Sequence, residues 1–157
     1  MRIVMALLAT MLLSSGFPIL AGDCPTAVLA AVDKAHSGAK TLACKSEQEG
    51  TTVYEVKIRT SDGKKLELAV RPDGAILLTE EPIATSELPA AVLAGVHARY
   101  PDARVTEVER LTAEKGEISF EVELTSGGHK QSITLTEAGA VVALEDEDED
   151  AAADEDD

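Results

Sequence analysis

Cys24-Pro-Thr-Ala-Val-Leu-Ala-Ala-Val32 returns later in the chain as Leu88-Pro-Ala-Ala-Val-Leu-Ala-Gly-Val96. In the first stretch Val28, Leu29, Val32 and Ala35 recur at helical spacing, which predicts a helix over residues 25–36. Pro25 suits the first helical position, where its missing N–H removes no hydrogen bond, and Ser37-Gly38 ends the pattern. The second stretch predicts a helix over 89–100, with Val92, Leu93, Val96 and Tyr100 as its apolar stripe. Ser86 and Glu87 supply a cap and N-terminal charge there, and Pro101 stops the helix. Ala39 and Ala103, Gly50 and Gly116, Val56 and Val122, and Gly74 and Gly139 continue the correspondence at offsets of 64 to 66. Self-similarity at a fixed period sets an architecture, so it directs the reading of the rest.

Beyond each helix the period changes from 3.6 to 2. Tyr54, Val56 and Ile58 alternate with Glu55, Lys57 and Arg59; Leu66, Leu68 and Val70 alternate with Lys65, Glu67 and Arg71. Ser61-Asp62-Gly63 between the two runs is a hairpin signal, and Pro72-Asp73-Gly74 makes a second turn before Ala75 to Thr79. In the second half the inward set is Ile118, Phe120, Val122, Leu124, Ile133 and Leu135, with turns at Gly127-Gly128 and Ala138-Gly139. The expected fold class is α+β: two tandem repeats, each one helix followed by about four antiparallel strands. The helix stripes would cover the apolar face of the sheet, leaving the Glu-, Lys-, Thr- and Ser-rich face in water. The expected division is a signal peptide at 1–22, repeat one at 23–80, repeat two at 81–144 and a disordered acidic tail at 145–157, with Thr79 to Glu87 as the connection. Each repeat has about 60 residues, a marginal size for independent stability, so the two are expected to join as one body.

The two ends differ from the body. Arg2, the apolar run Ile3 to Leu13, and the small residues Ser14 to Gly16, Ala21 and Gly22 follow the order of a secretory signal. The apolar run is too short for stable membrane insertion. Secreted or periplasmic localisation is the expectation. At the other end, ten of the thirteen residues from Glu145 to Asp157 are Asp or Glu. Without that tail and without Arg2, 13 basic groups face 19 acidic ones, so most of the formal charge of −15 sits in the tail. Neither part suits nucleic acid, whose phosphates require Lys and Arg. The chain has no Trp and only Phe17, Tyr54, Tyr100 and Phe120 as aromatics, which argues against a base- or sugar-stacking platform.

Cys24 and Cys44 are the two cysteines, and an even count in a small exported domain favours a disulfide. A bridge would tie the helix start to the strand carrying Cys44, on the face it shares with Leu42. A reactive pair is the alternative, although such pairs are usually spaced Cys-x-x-Cys. His36, His97 and His129 have no second His or Cys at ligand spacing, and no Gly-x-Ser-x-Gly elbow occurs. Glu55, Glu67, Glu121 and Glu123 could pair as acid and base, but solvated sheet-face charge is the simpler reading. Asp146, Asp148, Asp150 and Asp157 fall at positions 1, 3, 5 and 12 of a calcium loop. Ala151 replaces the turn glycine and Asp157 the longer Glu, so these are weak metal candidates, and the tail reads as a polyanion able to gather Ca²⁺ diffusely.

The Pro-initiated helix, the turn Tyr100-Pro101-Asp102-Ala103, the charged alternating strand and the closing Asp73-Gly74 together resemble the PepSY-like family. These secreted bacterial proteins are compared structurally with the beta-lactamase inhibitory protein. His36-Ser37-Gly38-Ala39 departs from the Tyr-Pro-Gly-Ala type of turn. The resemblance implies an α+β fold, an envelope or extracellular location, a non-catalytic binding or inhibitor-like role and no catalytic residues. The leading expectation is therefore an exported binding module with no cofactor and another envelope or extracellular protein as partner. The alternative is a calcium-responsive envelope protein that senses through its tail.

Overall fold

The computed structural model describes residues 24–49 and 51–146. Helix α1 (Thr26–Ala35) leads into strands β1 (Lys40–Glu49), β2 (Thr51–Arg59), β3 (Lys65–Val70) and β4 (Ile76–Pro82). A single 3₁₀ turn (Thr85–Glu87) and helix α2 (Ala90–Arg99) follow. Strands β5 (Arg104–Ala113), β6 (Ile118–Ser126), β7 (His129–Thr136) and β8 (Val141–Asp146) complete the chain described. All eight strands form one antiparallel sheet in sequence order, β1 to β8.

This corrects the expectation of two tandem helix-plus-strand repeats. The fold is mostly one eight-stranded antiparallel sheet with two ten-residue α-helices. The pairing of β4 with β5 overturns it. Leu78, Thr79, Glu80, Glu81 and Pro82 stand opposite Ala113, Thr112, Leu111, Arg110 and Glu109. Thr79 to Pro82, read from the sequence as connector, is strand. Its physical reason is edge satisfaction: a β4 without β5 would present a row of unpaired N–H and C=O groups.

Local signals act close to where the sequence places them. Pro25 and Pro89 stand immediately before the first helical residue, one position earlier than expected, and neither helix has a side-chain cap. Before α2, Glu87 folds back instead, its Oε2 accepting the Ala84 N–H at 2.9 Å. Val28 and Val32 of α1, and Val92 and Val96 of α2, are buried, whereas Ala35 is exposed. Gly139, in the β7–β8 turn, has φ +78°, and an added Cβ would lie 2.1 Å from the Ala91 carbonyl oxygen. That turn therefore packs directly on the α2 backbone, and only glycine fits.

The buried apolar side chains fall in two clusters. One joins α1 and its disulfide to Val56, Ile58, Leu66, Leu68 and Val70. The other joins α2 to Val108, Phe120, Val122, Leu124, Ile133 and Leu135. The Cys24–Cys44 disulfide links the residue before α1's proline to β1, with 5.8 Å between Cα atoms and both cysteines buried. Cys44 pairs with Val56 on the core face, but a bulge between Thr41 and Ala43 breaks the alternation. Leu42, expected to share that face, is consequently exposed. At the opposite edge Val141, Val142 and Leu144 of β8 are also exposed.

Two outcomes follow from this packing. Val56→Ala and Val122→Ala each delete methyl groups from fully buried sites and should each lower unfolding free energy by about 1–3 kcal/mol. Chemical denaturation measures this, and a neutral result at both would contradict the assigned strand faces. The disulfide closes a loop of 20 residues, so its reduction should destabilise the body by about 3 kcal/mol, lowering the melting temperature in dithiothreitol.

Candidate functional site

Both helices pack against core-facing side chains, so the opposite face of the sheet carries no helix among the described residues. Antiparallel register fixes which side chains stand there, because directly opposed residues share a face. Val56 opposes Leu68 on the core side; Lys57 opposes Glu67 on the open side. Glu67 then opposes Glu80, Glu109 opposes Glu121, and Glu107 opposes Glu123. Three glutamate pairs thus stand face to face across the middle of the sheet. Like charges directly opposed destabilise a sheet, so local propensity does not account for them.

The β1–β3 side of this band has its own cation. The Lys57 Nζ lies 3.0 Å from Glu67 Oε2 and 3.3 Å from Glu55 Oε1. Burial raises the Glu67 carboxyl, and its hydrogen bond with Glu55 adds to this, moving it up to about 7. Burial also works against ionisation of Glu55, but the hydrogen bond from Glu67 and the Lys57 charge outweigh it, holding Glu55 below its usual value. Toward the centre no ion pair joins Glu80 or Glu109 to a Lys or Arg among the described residues. Burial, then the charges of Glu109 and Glu67, push Glu80 up to about 8. Burial and Glu121 push Glu109 up to about 7. Glu121 is held in turn by Ser132, whose buried hydroxyl donates to Oε1 at 2.8 Å.

The structure therefore brings together Glu55 and Glu67, and puts Glu121 and Glu123 on the same face but on β6. These carboxylates are half-buried rather than freely solvated. Sequence reasoning missed Glu80, Glu109 and Ser132. Glu80 lay in the stretch read as connector, and the significance of Glu109 depends on register. Leu111 is buried on this same open face, belongs to neither core cluster, and stands opposite Glu80.

Other candidates are less organised. His36, His97 and His129 lie at the α1 C-cap, in α2 and at the start of β7. Among the described residues no group of three His, Cys, Asp or Glu could hold a metal ion. Asp146 lies in β8 opposite Gln131, and Glu145 opposite Ser132; Asp148, Asp150 and Asp157 lie outside the described residues, as does the expected signal segment. A shallow groove beside the β2–β3 turn is lined by His36, Thr60, Asp62, Lys64 and Glu81. Four of these side chains are bonded within the groove. Lys64 donates to Glu81 Oε1 at 2.7 Å, and the Thr60 hydroxyl bonds to Asp62 and to the Lys64 carbonyl.

A family model described as "Putative beta-lactamase-inhibitor-like, PepSY-like" matches residues 72–143, from the β3–β4 turn into β8. The chain resembles the PepSY-like family. Solved structures of similar fold include a BLIP-like protein of Bacteroides fragilis, 26% identical over 78% of this chain and 86% of that one, with a TM-score of 0.61. A DUF2874 family protein of Bacteroides uniformis is 18% identical, covers 78% of this chain and 88% of its own, and has a TM-score of 0.65. A protein of Bacteroides eggerthii described as "putative periplasmic" is 18% identical, with 83% and 90% covered and a TM-score of 0.64. No curated protein matches the chain. No helix among the described residues is long and apolar enough to cross a membrane.

The carboxyl band makes stability depend on pH in a defined direction. Glu67, Glu80 and Glu109 retain protons in the folded protein that the unfolded chain releases near 4.5. Their contribution is fully present below that pH and is lost as pH rises through about 7 to 8. Unfolding free energy should therefore fall between pH 5 and 8.5, by about 2 kcal/mol after allowing for solvent screening. Glu80→Gln should remove much of the loss, as read by urea titrations at the two pH values.

Proposed function

We propose that this chain is an exported, non-catalytic binding module that engages another protein of the cell envelope through the helix-free face of its sheet. The observation carrying this reading is the band of opposed glutamates. A sheet face with no binding role has no use for Glu67–Glu80, Glu107–Glu123 and Glu109–Glu121 pairs, because each opposes folding. Such a face serves an encounter, where charge sets orientation and partner choice.

Three further observations support it. The similarity to a BLIP-like protein and the inhibitor-like family description suit a protein-binding role. The description of one structural neighbour as periplasmic suits export. A buried disulfide suits an oxidising compartment. The charge groups of the face point to an acceptor or donor of ion pairs in the partner, and the half-buried Leu78 and Ala113 beside them supply apolar contact.

The test compares two surfaces. Purified protein is crosslinked to proteins of the native envelope, alongside a Glu121→Lys/Glu123→Lys variant of the open face and an Asp33→Lys variant of exposed α1. The expected result is a discrete adduct with wild type and with Asp33→Lys, lost in an open-face variant that circular dichroism shows to be still folded. An adduct that persists in the open-face variant and vanishes in Asp33→Lys would move the binding surface to the helical side.

A further inference from the structure

Strand β4 sits in the middle of the sheet and yet has no buried side chain. Four residue pairs join it to β3, with a register shift between Ala69 and Val70, and five join it to β5. The fully buried strand residues of the two apolar clusters come from β1–β3 and from β5–β7; β4 adds only half-buried Ile76 at its start to the first, and Ile83, just past its end, packs on the second. Leu111 is the one buried side chain at the β4–β5 pairing, so the continuity of the sheet here rests largely on the backbone ladder and on charge. Charge acts oppositely on the two faces. On the helical side Glu81 is a strap, bonded to Lys64 before β3 and to Arg110 of β5. On the open side Glu67, Glu80, Glu109 and Glu121 run from β3 to β6 across the same seam.

We propose that the β4–β5 seam is a pH-sensitive hinge, closed while the glutamate row holds protons and loosened when the row ionises, with the packed segments on either side staying folded. The row faces Lys57 and Glu55 from β2, with Lys45 beyond them on β1. From β5 and β6 it faces Glu107 and Glu123. The nearest residues of β7 on this face, Ser132 and Thr134, carry no charge, while Lys130 lies further along it. Arg71, just past β3, crosses to Glu114, just past β5, at 3.7 Å, at the far end of the seam from Glu109; the cations thus neutralise the β1–β3 side and that end, and leave the middle of the seam to the carboxyls. The elevated titration of Glu67, Glu80 and Glu109 puts the loosening between about pH 7 and 8. Local opening of a poorly packed element ahead of its well-packed neighbours is ordinary protein behaviour. The inference is independent of what the open face binds.

Amide exchange read residue by residue by NMR tests it, at pH 6.0 and 8.5, with rates corrected for the pH dependence of intrinsic exchange. The β4 amides and the β5 amides bonded to β4 should lose protection at least tenfold at pH 8.5. Amides of Val56, Leu68, Val122 and Ile133 should change much less. Glu80→Gln/Glu109→Gln should abolish the selective loss, and Glu81→Gln, which breaks the strap, should reduce β4 protection at both pH values. Equal loss throughout the sheet would show a global effect and overturn the hinge. So would unchanged β4 protection, or a selective loss that survives in the Glu80→Gln/Glu109→Gln protein.

Discussion

The backbone pairing of β4 with β5 is the constraint on which the rest of the molecule depends. Leu78–Pro82 against Glu109–Ala113 joins two groups of strands, each already organised around its own helix. Without it each group would expose an edge and hold few buried residues for its size, and small bodies of that kind are marginal. With it, one face of the sheet is divided between two helices while the other runs uninterrupted from β1 to β8. The continuous open face, the carboxyl band and the thin apolar packing at the seam are three consequences of one ladder.

The open face shows electrostatics arranged against stability. Ion pairs at half-exposed sites contribute little, so Lys57 between Glu55 and Glu67 offsets only part of the repulsion. At Glu80 and Glu109 the protein relieves the remainder by holding protons. Residues that break a local rule without a packing gain are where function is to be sought. The helical side follows the ordinary rules instead: apolar stripes, buried valines and a disulfide.

Much of this was legible in the chain. Alternation at Val56 and Ile58, at Leu66 to Val70 and at Phe120 to Leu124 identified the buried faces, because burial on one side imposes period 2. The two cysteines announced their bond through their number. The tandem division failed at β4, whose Ile-Leu-Leu-Thr-Glu-Glu-Pro does not alternate, since each of its side chains through Glu81 is half-buried. Leu42 was misplaced because a bulge leaves no mark in composition. Glu55, Glu67, Glu121 and Glu123 were visible as sheet-face charge, but which carboxylate opposes which is a matter of register between distant segments. The completed band, with Glu80, Glu109 and the Ser132 hydroxyl, exists only once the strands are aligned.

The sequential order of the strands has a consequence for how the molecule is made. Every strand's partners are its immediate neighbours in the chain, so the sheet is a meander without a crossover. Apart from the segment that carries α2 between β4 and β5, its loops are short, which keeps paired strands close in sequence. Assembly can proceed vectorially, each new strand finding its template already in place, which suits a polypeptide that emerges from a pore one end first. The linear arrangement has a topological price: a meander that does not curl back leaves β1 and β8 as edge strands among the described residues.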